Sequence, residues 1–224
     1  MNWRQATRRF TTAAVVAVVC IGGISMGTAG ATGSQRVLAS GLAGPLQIDV
    51  SQRGVLVGQS FAGVLSVVDR HGTVSNLLEG EALDGVAWQP GGGALYTHAD
   101  FDAADDQGVA ESSLRLLRPN GSVRQIADLR AYEEANNPDA GNSYGLQDAD
   151  PECLAGLPPI EGVLPYTGLL DSHPYAIATH GSTSYIAEAG GNDILAVGSA
   201  GRVRTVAVLP PQPYVITAEA AEAN

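Results

Sequence analysis

The chain has 224 residues, which is enough for one well-buried domain or two small ones. It contains 23 acidic residues against 12 basic ones, all of them arginine, and its formal net charge is −11. This acidic excess argues against a nucleic-acid partner, because binding a phosphate backbone requires clustered positive charge. Many glycines and few aromatic residues favour short strands joined by tight turns.

The first 31 residues are organised like a secretory signal peptide. Arg4, Arg8 and Arg9 precede an apolar stretch over residues 13–26, and residues 29–31 (Ala-Gly-Ala) fit a small-x-small cleavage pattern. The apolar stretch is short for a membrane span. We therefore expect cleavage after residue 31, no stable membrane span afterwards, and a secreted or periplasmic protein. Cleavage leaves nine arginines against 23 acidic residues, a formal net charge of −14.

One pattern occurs three times along the chain. Each copy centres on a glycine, namely Gly72, Gly121 or Gly201, with Leu or Ile seven residues before it and Val two residues after it. Glycine suits the turn at this position, because a positive φ angle costs it little. A Gly-containing hairpin precedes each copy, so one repeat comprises four consecutive short strands in about forty residues. Such a unit is typical of a blade of a β-propeller.

The sequence therefore predicts an all-β fold, a β-propeller of four-stranded meander blades. The blades are expected at residues 45–79, 84–130 and 173–210, within a partial propeller over residues 32–224. A run of hairpins in a β-sandwich is the alternative. Because propellers close with four to eight blades, three blades indicate an incomplete ring. Its two uncovered sheet faces should make an isolated three-blade chain unstable or prone to associate. Cys153, the single cysteine left after cleavage, fits a truncated chain whose disulfide partner lies elsewhere.

Residues 131–172 form an insertion between the second and third repeats. The insertion has eight carboxylates and no arginine, and connections of this length in compact domains are often functional. We expect a short helix over Ala131–Asn136, ended by Asn137 and Pro138. The remainder is expected to be either an ordered lid or a flexible excursion.

Acidic residues are predicted to gather at one end of the blades. If the strands of each blade are lettered A to D along the chain, the B-to-C loops and the D-to-A connections lie at the same end. The residues expected there are Asp100, Asp102, Asp105, Asp106, Asp171, Ser172, His173, Glu188, Asn192 and Asp193. The candidate binding residues among them are Asp100, Asp171, His173, Glu188, Asn192 and Asp193. Carboxylate oxygens suit a hard cation such as Ca²⁺, and a solvated acidic rim is the alternative.

Other catalytic or metal-binding motifs are weak. The segment from Asp148 to Glu152 resembles the start of a calcium loop, but Cys153 and Pro159 stand at its glycine and closing positions. The adjacent residues Asp171, Ser172 and His173 do not by themselves indicate a catalytic triad, and the four histidines lack metal-ligand spacing. We therefore assign no catalytic residue.

Four stretches carry a family resemblance. "DLRAYEEANNPD", "SHPYAIA", "AEAGGNDILAV" and "VAVLPPQP" resemble the ScyD/ScyE family, which is named for proteins linked to biosynthesis of the pigment scytonemin. The resemblance covers most of residues 36–213 and implies a six-bladed, NHL-like propeller in a secreted or periplasmic bacterial protein. The chain departs from the family by ending where further blades are expected and by extra sequence in its insertion. The resemblance transfers no catalytic residues.

Three functions remain open at this point. The first is a non-catalytic, exported propeller that binds a small molecule, glycan or protein at the acidic end of its blades. The second is a metal-dependent hydrolase of the gluconolactonase or strictosidine-synthase-like type, with Glu188, Asn192 and Asp193 as metal ligands. That function requires carboxylates from several blades to converge on the central channel. The third is a truncated, non-functional remnant.

Overall fold

A computed structural model describes residues 35–100, 111–157 and 162–217. The predicted signal peptide lies outside these residues, as do Asp102, Asp105 and Asp106. The chain divides into two units, residues 1–36 and 37–224. Of the first unit only Gln35 and Arg36 are described, and both are exposed and irregular. Over the described residues, no helix combines the length and the apolarity needed to cross a bilayer.

Two four-stranded sheets occupy the first half of the second unit. The first sheet contains β1 (Pro45–Ser51), β2 (Gly54–Gln59), β3 (Val64–Val68) and β4 (Val74–Glu79), with a 3₁₀ turn at Ser60–Ala62 between β2 and β3. The second sheet contains β5 (Leu83–Trp88), β6 (Ala94–Asp100), β7 (Glu111–Leu117) and β8 (Val123–Asp128).

The insertion precedes a third sheet of the same kind. The insertion contains α1 (Leu129–Asn136), β9 (Ser143–Tyr144), α2 (Pro151–Gly156) and β10 (Tyr166–Thr167), and β9 pairs with β10. The third sheet contains β11 (Pro174–His180), β12 (Thr183–Glu188), β13 (Asp193–Gly198) and β14 (Val203–Val208). In each four-stranded sheet the strands pair in chain order and are antiparallel.

The three sheets pack face to face in succession. Strand β5 lies between β1 and β11, so the first strands of the sheets stand side by side. One apolar core, which includes Leu56, Leu65, Val86 and Tyr96, joins the first and second sheets. Another core joins the second sheet to α1 and the third sheet. This radial succession of meanders confirms the predicted all-β fold, a partial β-propeller.

The repeat extends to details that the sequence does not reveal. Gly72, Gly121 and Gly201 have φ angles of 89°, 82° and 79°, the positive values that glycine adopts readily. In each sheet the pairing between the third and fourth strands slips by one residue immediately after the Leu or Ile that lies seven residues before this glycine. The same bulge therefore bends the outer strand of every blade.

Two of these glycines are in close contact with a carbonyl oxygen of a neighbouring segment. The carbonyl oxygen of Ile126, on β8 of the second blade, lies against Gly201 of the third blade. The carbonyl oxygen of Leu38 lies in the same way against Gly72 of the first blade. A β-carbon at either glycine would collide with this oxygen. The segment around Leu38 thus lies against the first blade as β8 lies against the third.

One side chain links all three blades near their inner strands. Gln47 Oε1 accepts hydrogen bonds from the backbone N–H groups of Val86, at 2.7 Å, and Ile177, at 2.9 Å. Gln47 Nε2 donates to the carbonyl oxygen of Ile177 at 2.9 Å. Because Val86 and Ile177 are only 0% and 4% exposed, water cannot readily replace this side chain.

The insertion is ordered at its start and contains regular elements further on. Asp128 caps α1 by accepting a hydrogen bond from the N–H of Ala131 at 2.8 Å, so the helix begins at Leu129, two residues before the predicted start. It ends as predicted at Asn136, because Asn137 adopts the left-handed conformation (φ 34°). Cys153 lies on α2, where it is exposed and free within the described residues.

Candidate functional site

The end of the blades that carries the B-to-C loops and the D-to-A connections is called the upper face. Helix α1 starts there, and Leu129 anchors it because its side chain is fully buried in the core between the second and third blades. Tyr132 fixes the helix to the outer strand of the third blade, since its hydroxyl accepts a hydrogen bond from the N–H of Thr205 at 2.8 Å. Leu129 and Glu133 are four residues apart and therefore lie on the same side of the helix. The docking that buries Leu129 thus also places Glu133 in the interior.

Asp139 is buried shortly after the helix. Its Oδ2 accepts hydrogen bonds from the Tyr144 hydroxyl at 2.8 Å and from Asn192 Nδ2 at 3.1 Å. The backbone of Gly168 packs directly on its other oxygen, Oδ1. Asp139 therefore lies between the β9–β10 ribbon and the tight loop that joins β12 to β13.

That loop, residues 189–192, wraps around the carboxylate of Glu188. Glu188 Oε1 accepts a hydrogen bond from the N–H of His173, and Oε2 accepts one from the N–H of Gly191 at 2.7 Å. Gly190 packs so closely on Asp171 that a β-carbon would lie 2.6 Å from its backbone. The Gly190-Gly191 pair thus lets the loop approach both Asp171 and Glu188.

Asp193 completes the arrangement at the start of β13. Its Oδ2 accepts a hydrogen bond of 3.3 Å from the Thr205 hydroxyl. We call Glu133, Asp139, Glu188 and Asp193 the carboxylate cluster; these residues are 4%, 1%, 4% and 1% exposed. These residues are not part of a solvated rim, because all four are buried.

Several oxygens of the carboxylate cluster have no hydrogen-bond donor. Within the described ranges, Glu133 Oε1, Asp139 Oδ1 and Asp193 Oδ1 are buried without a partner, and so is Asn137 Oδ1 nearby. No ion pair joins the four carboxylates to an arginine or histidine of the described residues. Buried carboxylates normally have such partners.

Burial and mutual repulsion raise the pKa values of Glu133, Glu188 and Asp193. Burial, followed by the charges of Glu188 and Asp139, raises the pKa of Glu133 to about 8. Burial raises the pKa of Glu188 to about 7, although the hydrogen bonds from Gly191 and His173 oppose the shift. Burial also raises the pKa of Asp193 to about 7. Holding all four groups ionised at neutral pH therefore costs free energy.

A second group of side chains lies where β5 and β11 begin. His173 Nε2 is 3.2 Å from Asp84 Oδ2, and the His173 ring stacks on Tyr175 with centroids 4.1 Å apart. Tyr175 is 41% exposed. We call Asp84, His173 and Tyr175 the mouth triad, because they line the inner rim of the upper face.

Charges on the second blade are compensated within the chain. Glu81 Oε2 lies 2.9 Å from an Arg115 nitrogen and 3.2 Å from His98 Nδ1. Burial and the Arg115 charge lower the pKa of His98. Asp100 pairs across the sheet with Glu111 and acts electrostatically on His98.

The structure thus brings together part of the predicted set. Asp171, Glu188, Asn192 and Asp193 meet in one region, while His173 reaches it through its backbone N–H and turns its ring to Asp84. Ser172 is buried and its hydroxyl accepts a hydrogen bond from Ser112.

Sequence reasoning did not single out Glu133, Asp139 or Asp84. The spacing of Leu129 and Glu133 on one side of a short helix was the signal available for the first of these. No comparable pattern marked the other two.

The described surface also has two clefts at the lower end, where turns of neighbouring blades meet. The first, about 240 Å³, is lined in part by Arg124, Thr179 and Ser184, and the second, about 270 Å³, by Arg53, Trp88 and Arg118. Both are smaller than the roughly 300–1,000 Å³ of ligand pockets. Neither contains the strongly shifted carboxyl groups of the upper face, which is where we place the functional site.

No protein-family model matches the chain, and no curated protein matches it. Among solved structures, virginiamycin B lyase from Staphylococcus aureus is 17% identical with a TM-score of 0.39, over 72% of this chain and 40% of that one. A streptogramin B lyase is 18% identical with a TM-score of 0.35, over 73% and 54% of the two chains. A nidogen/laminin complex is 15% identical with a TM-score of 0.34, over 71% and 60%. The chain spans about half the length of these proteins, and neither their activities nor their partners transfer to it.

Proposed function

We propose that the chain belongs to an exported, non-catalytic β-propeller of the ScyD/ScyE type that binds a small molecule, glycan or protein at its upper face. The mouth triad is the observation that carries this proposal. The contact between His173 and Asp84 joins the starts of the inner strands of two blades. The exposed Tyr175 ring stacks on the His173 ring that this contact fixes. A fixed, exposed aromatic face with polar groups beside it suits a ring-shaped ligand such as a sugar.

The hydrolase alternative has weaker support. Its proposed ligands, Glu188, Asn192 and Asp193, all come from the third blade, and the other acidic residues that act on them electrostatically, Asp139 and Asp171, come from the insertion. A hydrolase of that type would need carboxylates contributed by several blades around the channel. The remnant alternative predicts a chain that does not fold cooperatively.

The test compares wild type with Tyr175→Ser, and uses Tyr214→Ser as the matched control. Tyr214 is 88% exposed in the segment that follows β14. A glycan array and a thermal-shift panel of small molecules serve as probes. We expect at least one probe to bind wild type and Tyr214→Ser, and to bind Tyr175→Ser at least about tenfold more weakly.

Other outcomes contradict the proposal in different ways. Lactone or ester hydrolysis that is lost in Glu188→Gln would establish the hydrolase instead. Absence of a cooperative unfolding transition would favour the remnant. Export is tested by the mass of protein recovered outside the cytoplasm, which should correspond to residues 32–224.

A further inference from the structure

We propose that the carboxylate cluster, together with Asn137, binds one hard divalent cation of the Ca²⁺ class between the insertion and the third blade. The mouth triad contributes no side chain to this site, and the inference does not depend on what the mouth binds. Two of its carboxylates, Glu133 and Asp139, belong to the insertion, and two, Glu188 and Asp193, belong to the third blade. A cation held by all four would connect the two parts.

The first argument is charge. An ionised carboxylate buried away from water is costly unless an opposite charge or several hydrogen bonds accompany it. Glu81, in the connection between the first two blades, has that company, because an Arg115 nitrogen donates to one of its oxygens at 2.9 Å. The carboxylate cluster concentrates four acidic groups, and no described arginine or histidine side chain pairs with them. A cation from solution would supply the missing charge.

The second argument is the set of unpartnered oxygens. Glu133 is 4% exposed, and its carboxylate forms no hydrogen bond within the described residues. Asp139 Oδ1 and Asp193 Oδ1 are likewise buried without a donor. Protons shared among the carboxyl groups could satisfy some of these atoms, but Asn137 Oδ1 is a neutral oxygen that also lacks a donor. A metal ion satisfies acidic and neutral oxygens alike.

The third argument is that the side chains of the carboxylate cluster approach one another around Gly191. The point where a β-carbon on Gly191 would lie is 3.0 Å from Glu133 Oε2 and 3.2 Å from Glu188 Oε2. Gly168 contacts two of the proposed ligands: its carbonyl oxygen accepts a hydrogen bond from Asn137, and its backbone packs on Asp139 Oδ1. Asp139 in turn acts electrostatically on both Glu133 and Asp193.

Binding requires the carboxylates to move closer together. As they stand, no three acidic, histidine or cysteine side chains of the described residues are arranged to hold a metal ion. Oxygen ligands of Ca²⁺ lie about 2.3–2.6 Å from the ion, so the carboxylates must rotate towards one another. Their mutual repulsion opposes that rotation until a cation is present. Glycine at 191 leaves room for it, since a side chain there would fill the space between the two glutamates.

The donor set selects the kind of cation. All its atoms are carboxylate or amide oxygens, which suit Ca²⁺, Mg²⁺ and Mn²⁺ rather than the nitrogen and sulfur sites of Zn²⁺. Ca²⁺ tolerates irregular geometry and six to eight ligands, whereas Mg²⁺ demands a near-octahedral arrangement. We therefore expect Ca²⁺ to bind more tightly than Mg²⁺, with a Kd of about 10⁻⁴ to 10⁻³ M, as in extracellular calcium modules.

The experiment titrates the full chain, first freed of metal with a chelator, with CaCl₂ in a calorimeter, and repeats thermal melting with and without CaCl₂. Wild type should bind one Ca²⁺, and its Tm should rise by about 5–10 °C at a concentration one hundred times the Kd. Glu133→Gln should bind at least tenfold more weakly. It should still fold, because glutamine keeps the length and approximate volume of glutamate. Glu134→Gln is the control, since Glu134 is the next residue, pairs with Arg130 and is exposed.

Each result decides the proposal. If neither Ca²⁺, Mg²⁺ nor Mn²⁺ binds at about 10 mM, or if Glu133→Gln binds Ca²⁺ as wild type does, the site is not where we place it. If Glu133→Gln fails to fold, Asp193→Asn takes its place with the same expected loss. Calcium binding without any ligand at the mouth triad would leave this inference intact and overturn only the proposed function.

Discussion

Replacing Gln47 with methionine should loosen all three blades at once. Methionine keeps the length and approximate volume of glutamine but removes its amide. The change leaves the N–H groups of Val86 and Ile177 and the carbonyl of Ile177 without their partner. Since both residues are buried in the cores between blades, water has little access to these groups.

The size of the effect follows from those three hydrogen bonds. A buried polar group that loses its partner costs about 1–3 kcal/mol. Two N–H groups are certain to be affected, and the carbonyl less so because it has a second lone pair. We therefore expect Gln47→Met to lower the free energy of unfolding by about 2–5 kcal/mol.

Urea unfolding monitored by tryptophan fluorescence measures this loss. Trp88 reports the junction of the first two blades, because its indole N–H donates to the carbonyl of Gly54 at 3.2 Å and the Arg53 guanidinium lies 4.7 Å from its ring centroid. Gln125→Met is the control, since Gln125 is exposed on β8 and should change stability by no more than about 0.5 kcal/mol. Equal stabilities for the two variants would show that Gln47 does not link the blades energetically.

Three further outcomes are expected. Without divalent cations, the free energy of unfolding should fall as pH rises from about 5 to 8, because Glu133 keeps its proton in the folded state up to a pKa of about 8 but loses it in the unfolded chain near the ordinary pKa of 4.5. Chemical denaturation across this range measures the change, and a free energy of unfolding that rises with pH would contradict the assigned burial. Gly201→Ala should lower the melting temperature by more than Gly121→Ala does. Both glycines have a positive φ, but of the two only Gly201 lies against a carbonyl oxygen, that of Ile126. Equal decreases in melting temperature would exclude that contact as the cause. Ile48→Thr should reduce self-association measured by sedimentation velocity. Ile48 is an apolar residue that is 56% exposed on β1, and exposed apolar surface promotes association. Unchanged self-association would exclude this strand as the contact surface.

The repeat made the fold predictable from the sequence. Three copies in one register reveal the number of strands in each blade and the turn at Gly72, Gly121 and Gly201, since each copy must satisfy the same backbone geometry. The bulge after Leu65 and its equivalents was not predictable, because no residue type marks a one-residue slip in pairing. Gln47 was not predictable either, because it occurs in only one copy.

Only those residues of the candidate site that belong to a repeat could be predicted from the sequence. Meander topology alone predicts that Glu188 and Asp193 lie at the same end of the third blade. The insertion has no copy elsewhere in the chain, so nothing in the sequence showed that Glu133 and Asp139 would dock against them. Burial also depends on that docking, which is why a solvated rim remained an alternative.

The contact of Leu38 with Gly72, which matches that of Ile126 with Gly201, has a consequence for how such a protein can change over generations. A seam formed by the same glycine and the same carbonyl can be copied together with the unit that carries it. Where a unit carries both the glycine and the carbonyl, duplicating or deleting that unit leaves such a seam chemically complete, whereas a substitution at the glycine damages one seam. Architectures of this kind should therefore vary more readily in their number of units than in the residues that join them.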